Sequence, residues 1–330
     1  MENLVNSSPL ILVLVFLVIG FAFLMKGADF FVEGSSSIAK RLKVPPIIIG
    51  LTIVAMGTSL PETAVSVTAS LVNNNELAVS NVVGSNIFNL MVVVGVCSIL
   101  TPILVQKETI KRDIPFSMIC AFLLLGLGIL AVGDKSGMTL GHLDGMILLG
   151  FFAGYIVAMI QSAMKARAAG KNVEIEGIEE LEEEIGILSW PKSILFIVGG
   201  ALAIAFGGDL TVDAASRIAI DLGMSQTLVG LTIVSIGTSL PELVTSVVAA
   251  RKNEVDMAVG NAVGSNIFNI LMVLGIASAI NPVALIRENI IDIVILIVFS
   301  LIVWIYAATK RKISRKEGIS MVCLYLIYAG

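Results

Sequence analysis

The segment Gly50-Leu-Thr-Ile-Val-Ala-Met-Gly-Thr-Ser-Leu-Pro-Glu62 returns 180 residues later as Gly230-Leu-Thr-Ile-Val-Ser-Ile-Gly-Thr-Ser-Leu-Pro-Glu242. A second block, Asn81-Val-Val-Gly-Ser-Asn-Ile-Phe-Asn89, returns at the same offset as Asn261-Ala-Val-Gly-Ser-Asn-Ile-Phe-Asn269. The register holds without a gap from Gly27 and Asp29, matched to Gly207 and Asp209, through Pro102, matched to Pro282. Chance does not produce such a match, so the chain is a duplication. Its halves are residues 1–163 and 191–330, joined by 164–190.

Around these blocks the composition is that of an integral membrane protein. Of 330 residues, 57% are hydrophobic and 14% charged, and the mean hydropathy is +0.98. Soluble domains carry about 25% charged residues, and a chain this poor in charge has no means of covering a water-facing surface. Apolar runs at 9–28, 44–72, 77–100, 114–132, 142–163, 191–208, 224–250, 256–280, 289–309 and 318–330 predict an all-α protein of ten transmembrane helices, five per half. The first run has no basic residue before Lys26 and no small-residue cleavage site, so it is expected to stay as a helix. The last run is short of the roughly 20 residues that a span needs, so either the chain continues beyond Gly330 or that helix is partial. The formal charge of −4 excludes a nucleic-acid binder. Cys97, Cys120 and Cys323 all lie in apolar runs and are expected to be buried thiols. The single histidine, His142, beside a short loop, is expected at the surface.

Loops on one side hold 18 of the 21 Lys and Arg residues, and the other side keeps Lys135, Arg217 and Arg287. The positive-inside rule then places both termini outside the cell (inner) membrane and 164–190 in the cytoplasm. Seven Glu lie between Glu174 and Glu184 in that loop; a regulatory cation site is one reading and a solvated linker the commoner one. Five spans per half is an odd number, so the second half enters the membrane inverted. Inverted repeats mark transporters whose site lies near the midplane, where interrupted helices meet.

Pro61 and Pro241 lack the N–H that a helix needs there, so the helix must bend and release carbonyls. Bare carbonyls are tolerated at membrane depth only against protein, water or an ion. Glu62 and Glu242 follow directly. Thr58 and Ser66, and Thr238 and Ser246, lie four residues to either side, on the same helical face. On the next helix Ser85 and Asn89, and Ser265 and Asn269, are also four apart. Two carboxylates, hydroxyls, amides and freed carbonyls make an all-oxygen set, which suits calcium rather than zinc or copper. An intramembrane carboxylate pair left bare is costly, so it should hold cations or protons at all times.

At these residues the chain resembles the cation/calcium exchanger superfamily. The two blocks are similar to its alpha repeats, and the Gly-Thr-Ser-Leu-Pro-Glu form is similar to that of the prokaryotic sodium/calcium exchangers. The resemblance covers essentially the whole chain. It implies an antiporter, not an enzyme, in which sodium influx drives calcium out by alternating access in an electrogenic cycle. It implies that Glu62 and Glu242 bind calcium and sodium alternately. It further implies that Thr58, Ser59, Thr238, Ser239, Ser85, Ser265, Asn89 and Asn269 complete overlapping sites, with backbone carbonyls of Ala55 and Ser235 as sodium ligands. Helices matching the first and sixth spans would slide across the core, with Gly20, Gly27, Gly199, Gly200, Gly207 and Gly208 allowing close packing. Asn269 stands where several relatives carry Asp, which argues against potassium co-transport. Asp29, Glu33, Asp209 and Asp213 are read as lying at the ends of the sliding helices. No cofactor is expected beyond the transported ions, one chain suffices for transport, and the lipid bilayer is its surroundings. A proton/calcium antiporter and a cation channel are the alternatives; saturable calcium flux that requires sodium on the opposite side separates them.

Overall fold

The computed structural model describes residues 2–71, 75–130, 138–168, 187–224 and 235–329. Apolar chain in a bilayer must satisfy its backbone groups internally, and the described residues are accordingly helical apart from short turns and four two-residue strands. Among the described residues seven helices are long and apolar enough to cross a membrane, or eight if Pro46–Thr58 and Leu60–Leu71, bent by 45°, form one span. Two further predicted positions also carry helices. Leu240–Arg251 is one, its predicted leading part 225–234 lying outside the described residues, and the 15-residue Arg315–Ala329 is the other. The acidic run at 174–184 also lies outside the described residues.

Two predicted spans are corrected. The run expected at 9–28 is a helix over Leu10–Leu42, and that expected at 191–208 covers Trp190–Asp221. Asp29, Glu33, Asp209 and Asp213 therefore sit inside long helices, not at their ends. A charge interrupts a hydropathy window but not a helix, whose hydrogen bonds are its own. Asp29 is met by Lys252 at 3.4 Å and Lys26 at 3.8 Å. The added turns of the first helix are buried through Ser35, Ser36 and Ser37.

These two helices pack antiparallel along a seam of glycines. A Cβ on Gly200 would lie 2.7 Å from the Gly27 carbonyl oxygen, and one on Gly207 would lie 2.6 Å from the Leu24 nitrogen. Both are closer than atoms tolerate, so only glycine permits this approach. Phe23–Phe206 and Phe30–Phe196 ring pairs flank the seam at 5.0 and 4.9 Å. Gly20 and Gly27 share the seam, and Gly208 is buried against Leu24 of the first helix and Pro241, but Gly199 faces open space, which corrects the expectation for that residue.

The halves are clipped reciprocally. Ile103–Leu104 pairs with Lys312–Ile313, and the equivalent Val283–Ala284 pairs with Thr139–Leu140. The short strand of each half thus borrows its partner from the other. Cys97 and Cys120 are buried, whereas Cys323 is exposed. Arg315–Ala329 buries only Gly318 and Met321, so Cys323 faces away from the protein and the expectation of three buried thiols fails there. His142 opens its helix at the surface, a ring nitrogen 3.0 Å from the Ala279 carbonyl.

Gly200→Val should push the long helices apart at a cost of about 1–3 kcal/mol, lowering the melting temperature in detergent. Gly199→Val, one residue along, should leave it unchanged; equal effects of the two would contradict the seam.

Candidate cation site

Both Gly-Thr-Ser-Leu-Pro-Glu segments break their helices in the same way. Ser59 (φ −82°, ψ 10°) and Ser239 (φ −93°, ψ 3°) leave helical geometry, and helices restart at Leu60–Leu71 and Leu240–Arg251. Proline costs nothing in a first turn, where its N–H has no acceptor anyway. Glu62 and Glu242 fall in those first turns, at the positive end of the helix dipole. Each long helix leans on one break. Phe31 fills the space beside Gly57, where a Cβ would meet its ring at 2.6 Å, and Val212 abuts Gly237.

The two breaks face each other and exchange hydrogen bonds. Ser59 Oγ donates to Glu242 Oε1 at 3.1 Å, and Ser239 Oγ donates to Glu62 Oε1 at 3.4 Å. Each half therefore orients the carboxylate of the other. Both glutamates are fully buried. Ser265 Oγ also donates to Glu242 Oε1 at 3.3 Å and lies 3.5 Å from Thr58 Oγ1. Ser85, its equivalent in the first half, is buried beside Glu62.

A second exchange involves residues to which the sequence reading assigned no role. Thr58 Oγ1 donates to Asn261 Oδ1 at 2.9 Å, and Thr238 Oγ1 donates to Asn81 Oδ1 at 3.3 Å. Asn261 in turn donates to Ser246 Oγ at 2.9 Å, and Asn81 to Ser66 Oγ at 3.1 Å. The signal was present: Asn81, Ser85 and Asn89 recur every fourth residue and so share a helix face, as do Asn261, Ser265 and Asn269. Asn86 and Asn266 were likewise unassigned, and they receive the amides of Asn269 and Asn89.

Asn89 and Asn269 each open a π turn, Asn89–Val93 and Asn269–Val273. Such widened turns are frequent at functional sites. Glu62 Oε2, Glu242 Oε2, Asn89 Oδ1 and Asn269 Oδ1 are buried without a hydrogen-bond partner among the described residues. Buried acceptors left in this condition are rare in proteins, and here they recur as two symmetry-related pairs. Among the described residues no three His, Cys, Asp or Glu side chains converge, so the negative charge here is that of two carboxylates.

Of the predicted backbone ligands, the Ala55 carbonyl accepts the Ser59 N–H at 3.0 Å. Ser235 opens the short helix Ser235–Gly237 leading to the second break.

Fold and site together define a multi-pass membrane transporter with a duplicated, oxygen-lined centre. The family described as sodium/calcium exchanger protein matches residues 12–161 and 192–330. A putative antiporter, CaxA of Alkalimonas amylolytica, is 41% identical over 272 residues, 81% of each chain. Sodium/calcium exchanger MaX1 of Methanosarcina acetivorans is 33% identical over 336 residues, 94% of this chain and 96% of its own. The solved structure of the sodium-calcium exchanger NCX_Mj, soaked with sodium and strontium, superimposes with a TM-score of 0.81 at 31% identity over 97% of this chain and 98% of its own. The chain belongs to the sodium/calcium exchanger family. It is a cation/calcium antiporter, not an enzyme.

Glu62→Gln and Glu242→Gln each keep an oxygen to accept the Ser239 or Ser59 hydroxyl, so both variants should fold. Each lacks one of the two charges that balance a divalent ion, and calcium transport in vesicles should fall by more than tenfold. Wild-type rates in either variant would remove these carboxylates from the ion path.

Proposed function

We propose that the chain exchanges sodium for calcium across the cell (inner) membrane by alternating access, in an electrogenic and potassium-independent cycle. In this reading ten helices form two inverted five-helix repeats, with both termini outside. The observation that carries the proposal is the set of buried, unpartnered oxygens on Glu62, Glu242, Asn89 and Asn269 between two symmetric helix breaks. The glutamates supply a charge of −2 to one calcium ion, or to sodium ions in its place. Thr58, Ser59, Thr238, Ser239, Ser85 and Ser265 add hydroxyl ligands, and Ala55 and Ser235 add carbonyls. Calcium accepts six to eight oxygens at about 2.3–2.6 Å in flexible geometry, so a cage assembled from several helices can open to either side.

The neutral amide of Asn269 leaves the centre without a third acid, which is the basis for potassium independence. The glycine seam supports movement of Leu10–Leu42 and Trp190–Asp221 as a unit across the core, since it holds the two helices closely to each other. A channel would need a continuous path, whereas here the oxygens are enclosed on the axis between the halves.

In vesicles loaded with sodium and diluted into sodium-free medium, calcium should accumulate. Choline in place of sodium should stop uptake, and potassium on either side should not alter it. An absolute potassium requirement would overturn the coupling.

Sodium and calcium should also compete, because both require the same two carboxylates. Calcium affinity measured by calorimetry should fall more steeply than the first power of sodium concentration. It should fall again as acid neutralises Glu62 and Glu242, because calcium binding displaces their protons and an excess of protons opposes it. Affinity indifferent to both sodium and pH would mean that the ions do not share these glutamates.

A further inference from the structure

We infer that Asn86 and Asn266 are positioning residues of the cation site: they hold the amides of Asn89 and Asn269 so that carbonyl oxygens, and not NH2 groups, face the ions. The inference rests on the proposed reading of these side chains as a cation site.

Two backbone carbonyls fix the orientation of the Asn86 and Asn266 amides. The Asn86 amide reaches the Asn266 main-chain oxygen at 3.1 Å, and the Asn266 amide reaches the Asn86 main-chain oxygen at 3.1 Å. A main-chain carbonyl only accepts, so the atom that meets it must be the NH2 group. The orientation of both amides follows from this, although nitrogen and oxygen are alike in shape. The Oδ1 of Asn86 is then directed at Asn269, 3.1 Å away, and the Oδ1 of Asn266 at Asn89, 3.3 Å away. Two carbonyl oxygens repel at that distance, so Asn269 and Asn89 must each present NH2. Their own oxygens are turned the other way, where both are buried and unpartnered among the described residues.

The four amides thus form a reciprocal set where Asn75–Phe88 and Val255–Phe268 meet the π turns that follow them: main-chain carbonyls fix Asn86 and Asn266, and these in turn fix Asn269 and Asn89. A flipped ligand amide would aim its NH2 at a cation and its oxygen at another oxygen. Aspartate at 86 or 266 has no proton for the main-chain carbonyl, and serine is too short to bridge the gap, so asparagine suits both contacts at once.

The test is a double-mutant comparison in proteoliposomes, reading sodium-driven calcium uptake and calcium affinity. In the native background Asn86→Leu releases the Asn269 amide, and calcium affinity should fall about tenfold, the scale of one misdirected buried polar contact. In the Asn269→Asp background no NH2 exists to be misdirected and the Asn86 oxygen faces a carboxylate oxygen, so adding Asn86→Leu should not lower affinity. Asn266→Leu should behave alike with and without Asn89→Asp. Losses of equal factor in both backgrounds would reduce Asn86 and Asn266 to packing and overturn the inference. Melting temperature in detergent reports whether each variant is folded. If a leucine variant fails to insert, Asn86→Ala and Asn266→Ala carry the same comparison, since each removes only the amide. A native chain that takes up no calcium under a sodium gradient would instead reject the exchange reading, a result distinct from equal losses in the two backgrounds.

Discussion

Two carboxylates at the centre of an apolar protein constrain everything around them. Glu62 and Glu242 are fully buried, and among the described residues no Lys or Arg pairs with either. A buried carboxylate needs compensating charge or hydrogen-bond donors, and a fixed cation from the protein would close the site to any other. The structure gives each glutamate serine donors on Oε1 and the first-turn end of a helix, and keeps Oε2 unpartnered. This is enough support to place a carboxylate and too little to satisfy it. In the proposed function the remaining deficit is what an arriving cation would meet.

Each glutamate takes one of its serine donors from the opposite half, which makes the interface between halves and the site one object. Ser59 with Glu242, Thr58 with Asn261 and Asn89 with Asn266 all recur with the roles of the halves exchanged. Such reciprocity is the signature of an approximate two-fold axis. Separating the halves would leave these cross-half contacts unmade, so the core has strong reason to stay docked.

The edges are built differently. Leu10–Leu42 and Trp190–Asp221 touch each other along glycine backbone, and they touch the breaks through Phe31 at Gly57 and Val212 at Gly237. Polar anchorage from this pair to the rest of the chain includes the exposed-to-half-buried pairing of Asp29 with Lys252, a contact of a kind that contributes little in water. A rigid, hydrogen-bonded centre and a smooth outer pair is the division that a sliding mechanism asks for.

The duplication, the membrane class, the helix breaks at Pro61 and Pro241 and the candidate ligands were all legible in the sequence. Each is a local matter of hydropathy, proline chemistry or spacing along one helix. Helix lengths around Asp29 and Asp209 were not, because a charge inside a long helix is permitted by a partner such as Lys252, which lies far away in sequence. Nor was the distinction between Gly199 and Gly200, adjacent residues of which one faces open space and the other a neighbouring backbone. The roles of Asn81, Asn86, Asn261 and Asn266 were hidden for the same reason. Spacing shows that residues share a helix face, but only the docking of two halves 180 residues apart decides which face meets which. The sequence by itself determined which oxygens are available; the tertiary structure decided which of them are consumed by hydrogen bonds and which are left for a cation.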